Sequence, residues 1–286
     1  MNAKTYNAMR RDVIYLKSLT NGGRQGMWNQ LQTGEYESML AETVSVTGYE
    51  GDAVHAYLSR PLGAGPYPGL ILIPHMPGWD EFCRETARRF SQHGYAVLCP
   101  DIFDRFGHST PEDVSARARA AGGVPDDCVM GDCEGALAYL RSQPFSNGMA
   151  GVIGMCSGGR HAYLAGCTVK GFDAVVDCWG GGVVMAKEDL TPARPVAPID
   201  YTSRLDCPLL GIFGNDDSSP TPAQVDAHEE ALKLHGKDYE FHRYDGAPHA
   251  FWNYSRETYR PTQAMDSWDK VLAFFDKHLK RGHAPG

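Results

Sequence analysis

The 286-residue sequence lacks the features that mark membrane, secreted and nucleic-acid-binding proteins. No stretch approaches the 18 uninterrupted apolar residues that a helix needs to span a bilayer. The first residues contain neither the apolar run nor the small-residue cleavage site of a secretory signal. The net charge of −8 has the wrong sign for a protein that follows a phosphate backbone. We therefore expect a cytoplasmic protein with no membrane or nucleic-acid partner.

Signatures of metal and nucleotide cofactors are also missing. The sequence has no Cys-x-x-Cys and no His-Glu-x-x-His, and the five-residue step from Cys128 to Cys133 makes a poor zinc half-site. No Gly-x-Gly-x-x-Gly follows a strand, as a nicotinamide site requires. We expect no metal and no cofactor. Several of the eight cysteines, such as Cys99 and Cys178, lie in apolar runs. Most of the eight are expected to be buried and reduced, because a core of this size needs no disulfides.

Strand and helix patterns alternate along most of the chain. Residues 42–61 are typical of a β-hairpin, and continuous apolar runs at 69–74, 149–155 and 208–214 are typical of strands buried on both faces. Helical segments separate these runs. The sequence therefore predicts an α/β fold, with a mostly parallel sheet and helices on both of its faces.

Three stretches depart from this alternation. Residues 1–40 are predicted to be an N-terminal helical extension of a domain that spans residues 41–286. This extension would either cap the pocket or mediate a homo-oligomer. Residues 103–127 and 180–206 are long and irregular, and we expect such insertions to form a partial lid over an active site.

The most informative motif is GMCSGG at residues 154–159, which follows a buried strand and opens a helix. This is the context of the nucleophile elbow of α/β-hydrolases, a turn so tight that the residues two before and two after the nucleophile must be small. Gly154 and Gly158 meet that requirement for Cys156. Ser157, the rival nucleophile, has no small residue two positions before it. A helix N-terminus favours a thiolate, and the backbone N–H of Ser157 is placed to bind an oxyanion. The alternative is a helix start with a buried cysteine.

Candidates for the acid and the base follow in the chain order of this architecture, nucleophile, acid and histidine. Asp216 and Asp217 come directly after the strand at 208–214, at the strand end where open α/β sheets hold their functional loops. We favour Asp217, with Asp216 as the alternative. His249 lies in a Gly/Pro loop after the next strand and is the expected base, whereas His242 falls within the strand pattern and is expected to be structural.

Four segments together resemble the dienelactone hydrolase (carboxymethylenebutenolidase) family: GYAVLCPDIF, QPFSNGMAGVIGMCSGG, the GNDD turn and YDGAPHAF. The resemblance runs from about residue 50 to 280. It implies an α/β-hydrolase fold and hydrolysis of enol-lactones from aromatic-ring breakdown, without a cofactor. It also implies a catalytic triad of Cys156, Asp217 and His249.

The resemblance extends to residues around the pocket. Arg105 matches the arginine that binds the substrate carboxylate in the family, and the backbone N–H of Met76 matches the second oxyanion donor. Two positions depart from the family pattern. Asn253 stands where a second arginine is expected, and His75 stands where the family has a glutamate that keeps the resting thiol protonated. His75 either stabilises a resting thiolate instead or is a loop histidine that is hydrogen-bonded locally.

The substrate is less constrained than the chemistry. Five aromatic residues are candidates to line an apolar pocket: Trp79, Phe103, Trp179, Phe251 and Trp252. A small-molecule enol-lactone is the expected substrate. Because of the departures at the two positions above, a general carboxylesterase or thioesterase is the main alternative. A non-catalytic binding protein on the same fold is a further one, and it would predict a broken triad.

Overall fold

One eight-stranded sheet organises the computed structural model, which describes residues 38–76 and 78–280. The strands are β1 (Met39–Thr47), β2 (Ala53–Pro61), β3 (Tyr67–Ile73), β4 (Ala96–Pro100), β5 (Ser146–Met155), β6 (Ala174–Cys178), β7 (Leu209–Gly214) and β8 (Tyr239–Tyr244). Their order across the sheet is β1-β2-β4-β3-β5-β6-β7-β8. Strands β1 and β2 form the predicted hairpin, β2 pairs antiparallel with β4, and all other pairs are parallel.

Helices follow strands β3, β4, β5, β7 and β8 along the chain. They are α1 (Glu81–Gln92), α2 (Pro111–Ala120), α3 (Asp126–Ser142), α4 (Ser157–Thr168), α5 (Pro222–Leu234) and α6 (Pro261–Leu279). The sequence predicts where several of them begin. Asp80 accepts a hydrogen bond from the Cys83 N–H at the start of α1, and Thr221 forms a capping box with Gln224 at the start of α5.

The core lies on both sides of the sheet, as the uninterrupted apolar strands predict. In β3, Ile71 and Ile73 join one buried cluster with residues of α3 and α4, whereas Leu70 and Leu72 join a second cluster with residues of α1 and α6. All four side chains are fully buried. Burial of each contributes roughly 1.5–3 kcal/mol. The expected α/β fold with both faces covered is therefore confirmed.

The two irregular stretches contain short helices. A 3-10 turn at Asp104–Phe106 and helix α2 lie in the first, and two 3-10 helices, Lys187–Asp189 and Pro198–Arg204, lie in the second. Their function as a lid stays a prediction. The extension predicted for residues 1–40 lies almost wholly outside the described residues. In the part of the chain that the structure describes, no helix has the length and apolar character needed to cross a bilayer.

Candidate active site

Cys156 is the one residue between strand β5 and helix α4, and its backbone is strained. Its φ of 56° and ψ of −124° lie where side chains with a Cβ are rarely found. Such conformations cost about 1–3 kcal/mol and persist where the surrounding structure enforces them. The Cys156 N–H donates to the Cys178 carbonyl at 3.0 Å, which anchors the turn to the neighbouring strand. The half-buried thiol is thereby held at the carboxyl edge of the sheet.

The glycines on either side of Cys156 have no room for a side chain. A Cβ on Gly154 would lie 2.0 Å from the Gly158 carbonyl oxygen, and a Cβ on Gly158 would lie 2.2 Å from the Ile73 carbonyl oxygen. Both contacts are with backbone, which cannot move aside. The steric requirement derived from the motif is therefore met by close approach of helix α4 to strands β3 and β5.

Asp217 and His249 are brought together from two different loops. The His249 Nδ1 lies 2.8 Å from the Asp217 Oδ2, and the other carboxylate oxygen accepts a hydrogen bond from the Ser219 N–H at 2.8 Å. Asp217 is 6% exposed. Asp216 is exposed, so the geometry favours Asp217 over the alternative. His242 lies within β8, as expected.

The imidazole of His249 is influenced by both the Asp217 carboxylate and the Cys156 thiol. Burial opposes protonation of the ring, but its side-chain hydrogen bonds to Asp217 and Cys156 outweigh that effect and raise the pKa of His249 to about 10. An imidazole that is influenced by both a carboxylate and a thiol is the combination in which histidine moves a proton to and from a nucleophile.

The other cysteines differ from Cys156 in their surroundings. All eight cysteines are free thiols. Burial raises the pKa of each of the other seven, which are Cys83, Cys99, Cys128, Cys133, Cys167, Cys178 and Cys207. Their thiols are therefore neutral near pH 7, which suits the packing function expected for most of them.

His75 and Met76 lie in the segment that follows strand β3. His75 is 5% exposed, and its Nε2 lies 2.9 Å from the Asp80 Oδ2. This contact is the kind of local hydrogen bond that the alternative interpretation of His75 predicts, although Asp80 itself was not named as the partner. Because a Cβ on Gly158 would also lie 2.9 Å from the Pro74 carbonyl oxygen, the segment carrying Met76 starts beside the elbow.

Arg105 is engaged by carboxylates of the protein itself. Its two terminal nitrogens each lie 2.8 Å from an oxygen of Asp132, which is fully buried, and its Nε lies 2.8 Å from Asp52. These partners raise the pKa of Arg105. The predicted contact with a substrate carboxylate stays a prediction, and the structure provides a competing structural explanation for this arginine.

Three other predicted substrate-binding residues make internal contacts. The Asn253 side chain accepts hydrogen bonds from the Ser255 N–H at 3.1 Å and from its hydroxyl at 2.7 Å. The Trp79 indole donates to the Cys99 carbonyl at 3.1 Å and remains partly exposed. Phe251 is fully buried against Trp179, at 4.9 Å between ring centroids. Of the three, only Trp79 has an exposed side-chain surface that a ligand could contact.

A buried ion pair next to the elbow was missed by sequence reasoning. Arg160, four residues after the candidate nucleophile, forms a two-pronged contact with Asp126 at 2.6 and 2.8 Å and donates to the Gly182 carbonyl at 3.2 Å. It thereby joins helices α3 and α4 to the second irregular stretch. No local pattern signals this pairing, because its members lie 34 residues apart.

Comparisons with known proteins agree with this architecture. The family model of the dienelactone hydrolase family matches residues 54–279. A "Putative carboxymethylenebutenolidase" from Synechocystis sp. is 29% identical over 233 residues, which cover 79% of this chain and 93% of that protein. A "Probable 2-oxo-3-(5-oxofuran-2-ylidene)propanoate lactonase" from Bradyrhizobium sp. is 27% identical over 246 residues, which cover 84% and 98%.

A solved structure extends the similarity to three dimensions. The crystal structure of a "Putative Dienelactone Hydrolase" from Klebsiella pneumoniae superposes with a TM-score of 0.76 at 27% identity, over 84% of this chain and all of that one. The fold, the match to the family model and the named relatives all indicate the same family. The chain belongs to the dienelactone hydrolase family of ester and lactone hydrolases.

Proposed function

We propose that this protein hydrolyses an enol-lactone of the dienelactone type, with Cys156 as nucleophile, His249 as base and Asp217 as the residue that orients the histidine. The observation that carries the proposal is the pairing of His249 with the buried Asp217 carboxylate at 2.8 Å, on the edge of the sheet where Cys156 stands on its strained turn. The three residues follow strands β5, β7 and β8 and meet at the carboxyl edge of the sheet. Ligands of open α/β sheets bind at this edge.

The first half of the reaction forms an acyl-enzyme. His249 holds the proton that the Cys156 thiol gives up, and the thiolate attacks the lactone carbonyl carbon. The backbone N–H groups of Ser157 and Met76 are the proposed donors to the oxyanion. When the tetrahedral intermediate collapses, the ring C–O bond breaks, and the imidazolium of His249 protonates the leaving enol oxygen. The product remains attached as a thioester of Cys156.

The second half releases the product. His249 removes a proton from water, the resulting hydroxide attacks the thioester, and the C–S bond breaks to regenerate the thiol. A thiolate is itself a good leaving group, so it expels a poor leaving group such as an alkoxide slowly. Enol-lactones and aryl esters, whose leaving oxygen is stabilised, therefore suit a Cys156 nucleophile better than peptides or alkyl esters do.

The identity of the relatives supports the lactone over other activated esters. The relative from Bradyrhizobium sp. is named for the hydrolysis of an enol-lactone that carries a carboxylate. The contacts of Arg105 favour a second candidate, a carboxylesterase or thioesterase for neutral substrates, because this arginine is already neutralised by Asp52 and Asp132. Asn253 adds no positive charge where a second arginine is expected.

Hydrolysis of a dienelactone beside 4-nitrophenyl acetate separates these candidates. The variants are Cys156→Ala and, as a matched control, Cys128→Ala, which removes a half-buried thiol outside the site. We expect dienelactone turnover that disappears with the first substitution and survives the second. Turnover of the aryl ester alone would support the neutral-substrate candidate. If neither substrate shows turnover that depends on Cys156, the non-catalytic alternative gains support and the proposal fails.

A further inference from the structure

A cluster of two histidines and one aspartate lies outside the candidate active site. The Nδ1 of His55 lies 3.0 Å from one carboxylate oxygen of Asp104, and the Nε2 of His108 lies 3.9 Å from the other. His55 is on strand β2, whereas Asp104 and His108 follow strand β4. The two rings approach edge to face, with centroids 5.5 Å apart.

The positions of these atoms suit a metal ion. One donor atom from each residue lies within 4.8 Å of the other two. Tetrahedral zinc with nitrogen and oxygen ligands at about 2.0–2.1 Å places its ligand atoms roughly 3.4 Å apart, so the cluster needs to contract by little more than an ångström. The side chains of His55 and His108 are 48% and 78% exposed, which leaves them free to make that adjustment.

We propose that His55, Asp104 and His108 form a binding site for a divalent transition-metal ion, with zinc as the expected occupant. The two imidazoles favour such ions over calcium or magnesium, which are bound mainly by oxygen ligands, and the carboxylate is a ligand that zinc also accepts. The metal replaces the proton between His55 and Asp104, and water completes the coordination. Motif spacing could not reveal this site, because His55 and Asp104 lie 49 residues apart.

A metal at this site would restrain the segment that carries Phe103 and Asp104, which lies next to the candidate active site. Asp104 follows Phe103, whose ring carbons would lie 2.7 and 3.0 Å from a Cβ on Gly78. Gly78 is two residues from Met76, the proposed oxyanion donor. Phe103 therefore packs against the loop that carries Met76. A metal bound by both Asp104 and His55 would hold this packing residue to strand β2. We expect zinc to raise the melting temperature of the wild-type protein.

Cobalt titration monitored by absorption, together with calorimetry with zinc, tests the site in the full chain. The variants are His55→Ala and His108→Ala, and His235→Ala removes an exposed histidine elsewhere as a control. Cobalt also distinguishes this site from competing thiol sites, since ligation by Cys156, or by Cys83 in its buried cluster with His75 and Asp80, produces thiolate charge-transfer absorption.

We expect one equivalent of cobalt without that absorption, and zinc affinity at least about tenfold weaker in each cluster variant, because each loses one of three protein ligands. The control should bind like the wild type, and the zinc-dependent rise in melting temperature should vanish only in the cluster variants. Unchanged affinity in either cluster variant, or strong thiolate absorption, overturns the proposal. Neither outcome depends on catalysis, so the result stands whatever the substrate is.

Discussion

Replacement of Asp217 by asparagine is a sharp test of the proposed triad, because the surroundings of the carboxylate dictate what the amide can do. One oxygen of Asp217 accepts the Ser219 N–H and the other faces the His249 Nδ1, each at 2.8 Å. An amide NH2 group cannot face the Ser219 N–H, since both are donors. The asparagine oxygen will keep that position, and the NH2 group will point at His249.

That orientation reverses the tautomer of the histidine. With a donor opposite it, Nδ1 of His249 becomes an acceptor and the ring proton moves to Nε2, so the ring can no longer take a proton from Cys156. A change of tautomer of this kind in a serine-protease triad lowers kcat by about 10⁴. We expect a loss of roughly 10³–10⁴ for Asp217→Asn, equivalent to about 4–5 kcal/mol in the activation barrier.

The assay is kcat for 4-nitrophenyl acetate, or for the dienelactone if it is turned over, with Asp216→Asn as the matched control. The control removes the same charge one residue away, from an exposed side chain. It should retain activity within about twofold, because surface charges contribute little. The reasoning is refuted if Asp217→Asn keeps more than a tenth of the activity, or if both substitutions cost the same.

Four further outcomes are expected. Gly158→Ala should lower the free energy of unfolding by about 2–3 kcal/mol, because its methyl group meets the β3 backbone, and urea unfolding will measure this. Arg105→Ala should cost about 3 kcal/mol in the same assay, since it leaves the buried Asp132 carboxylate without its cation, and a loss confined to the KM for carboxylate substrates would contradict that view. The raised pKa of His249 stabilises the fold fully below about pH 6.5, and that contribution disappears as the pH rises through about 10. The urea midpoint of wild-type unfolding should therefore fall more between about pH 6.5 and about pH 10 than the midpoint of His249→Ala. His75→Ala should slow alkylation by iodoacetamide near pH 7 if this histidine stabilises a thiolate, and an unchanged pH profile removes that function.

Local patterns in the sequence predict much of the fold and the centre of the site. Strand β3 is recognisable because a strand covered on both faces must be apolar throughout. Cys156 is recognisable because a tight turn requires glycines at fixed distances. Asp217 could be preferred over Asp216 only weakly, since the choice depends on which carboxylate the turn buries.

Pairings across the fold could not be predicted in the same way. Arg105 matches a family position, yet its partner Asp132 lies 27 residues away on another element. The pair of Arg160 with Asp126 depends on how helices α3 and α4 pack against each other. Such contacts depend on tertiary structure, so the periodic patterns of the sequence cannot predict them.

Cys156 stands on a strained turn at the carboxyl edge of the sheet, whereas burial raises the pKa of the other seven thiols, and this difference has a practical consequence. A mild electrophile that carries a mass tag should modify the native protein once, and intact-mass measurement would then count the molecules whose turn at Cys156 is correctly formed. Denaturation should release the remaining seven thiols together. The ratio of the two readings would report the correctly folded fraction of any preparation before its natural substrate is known.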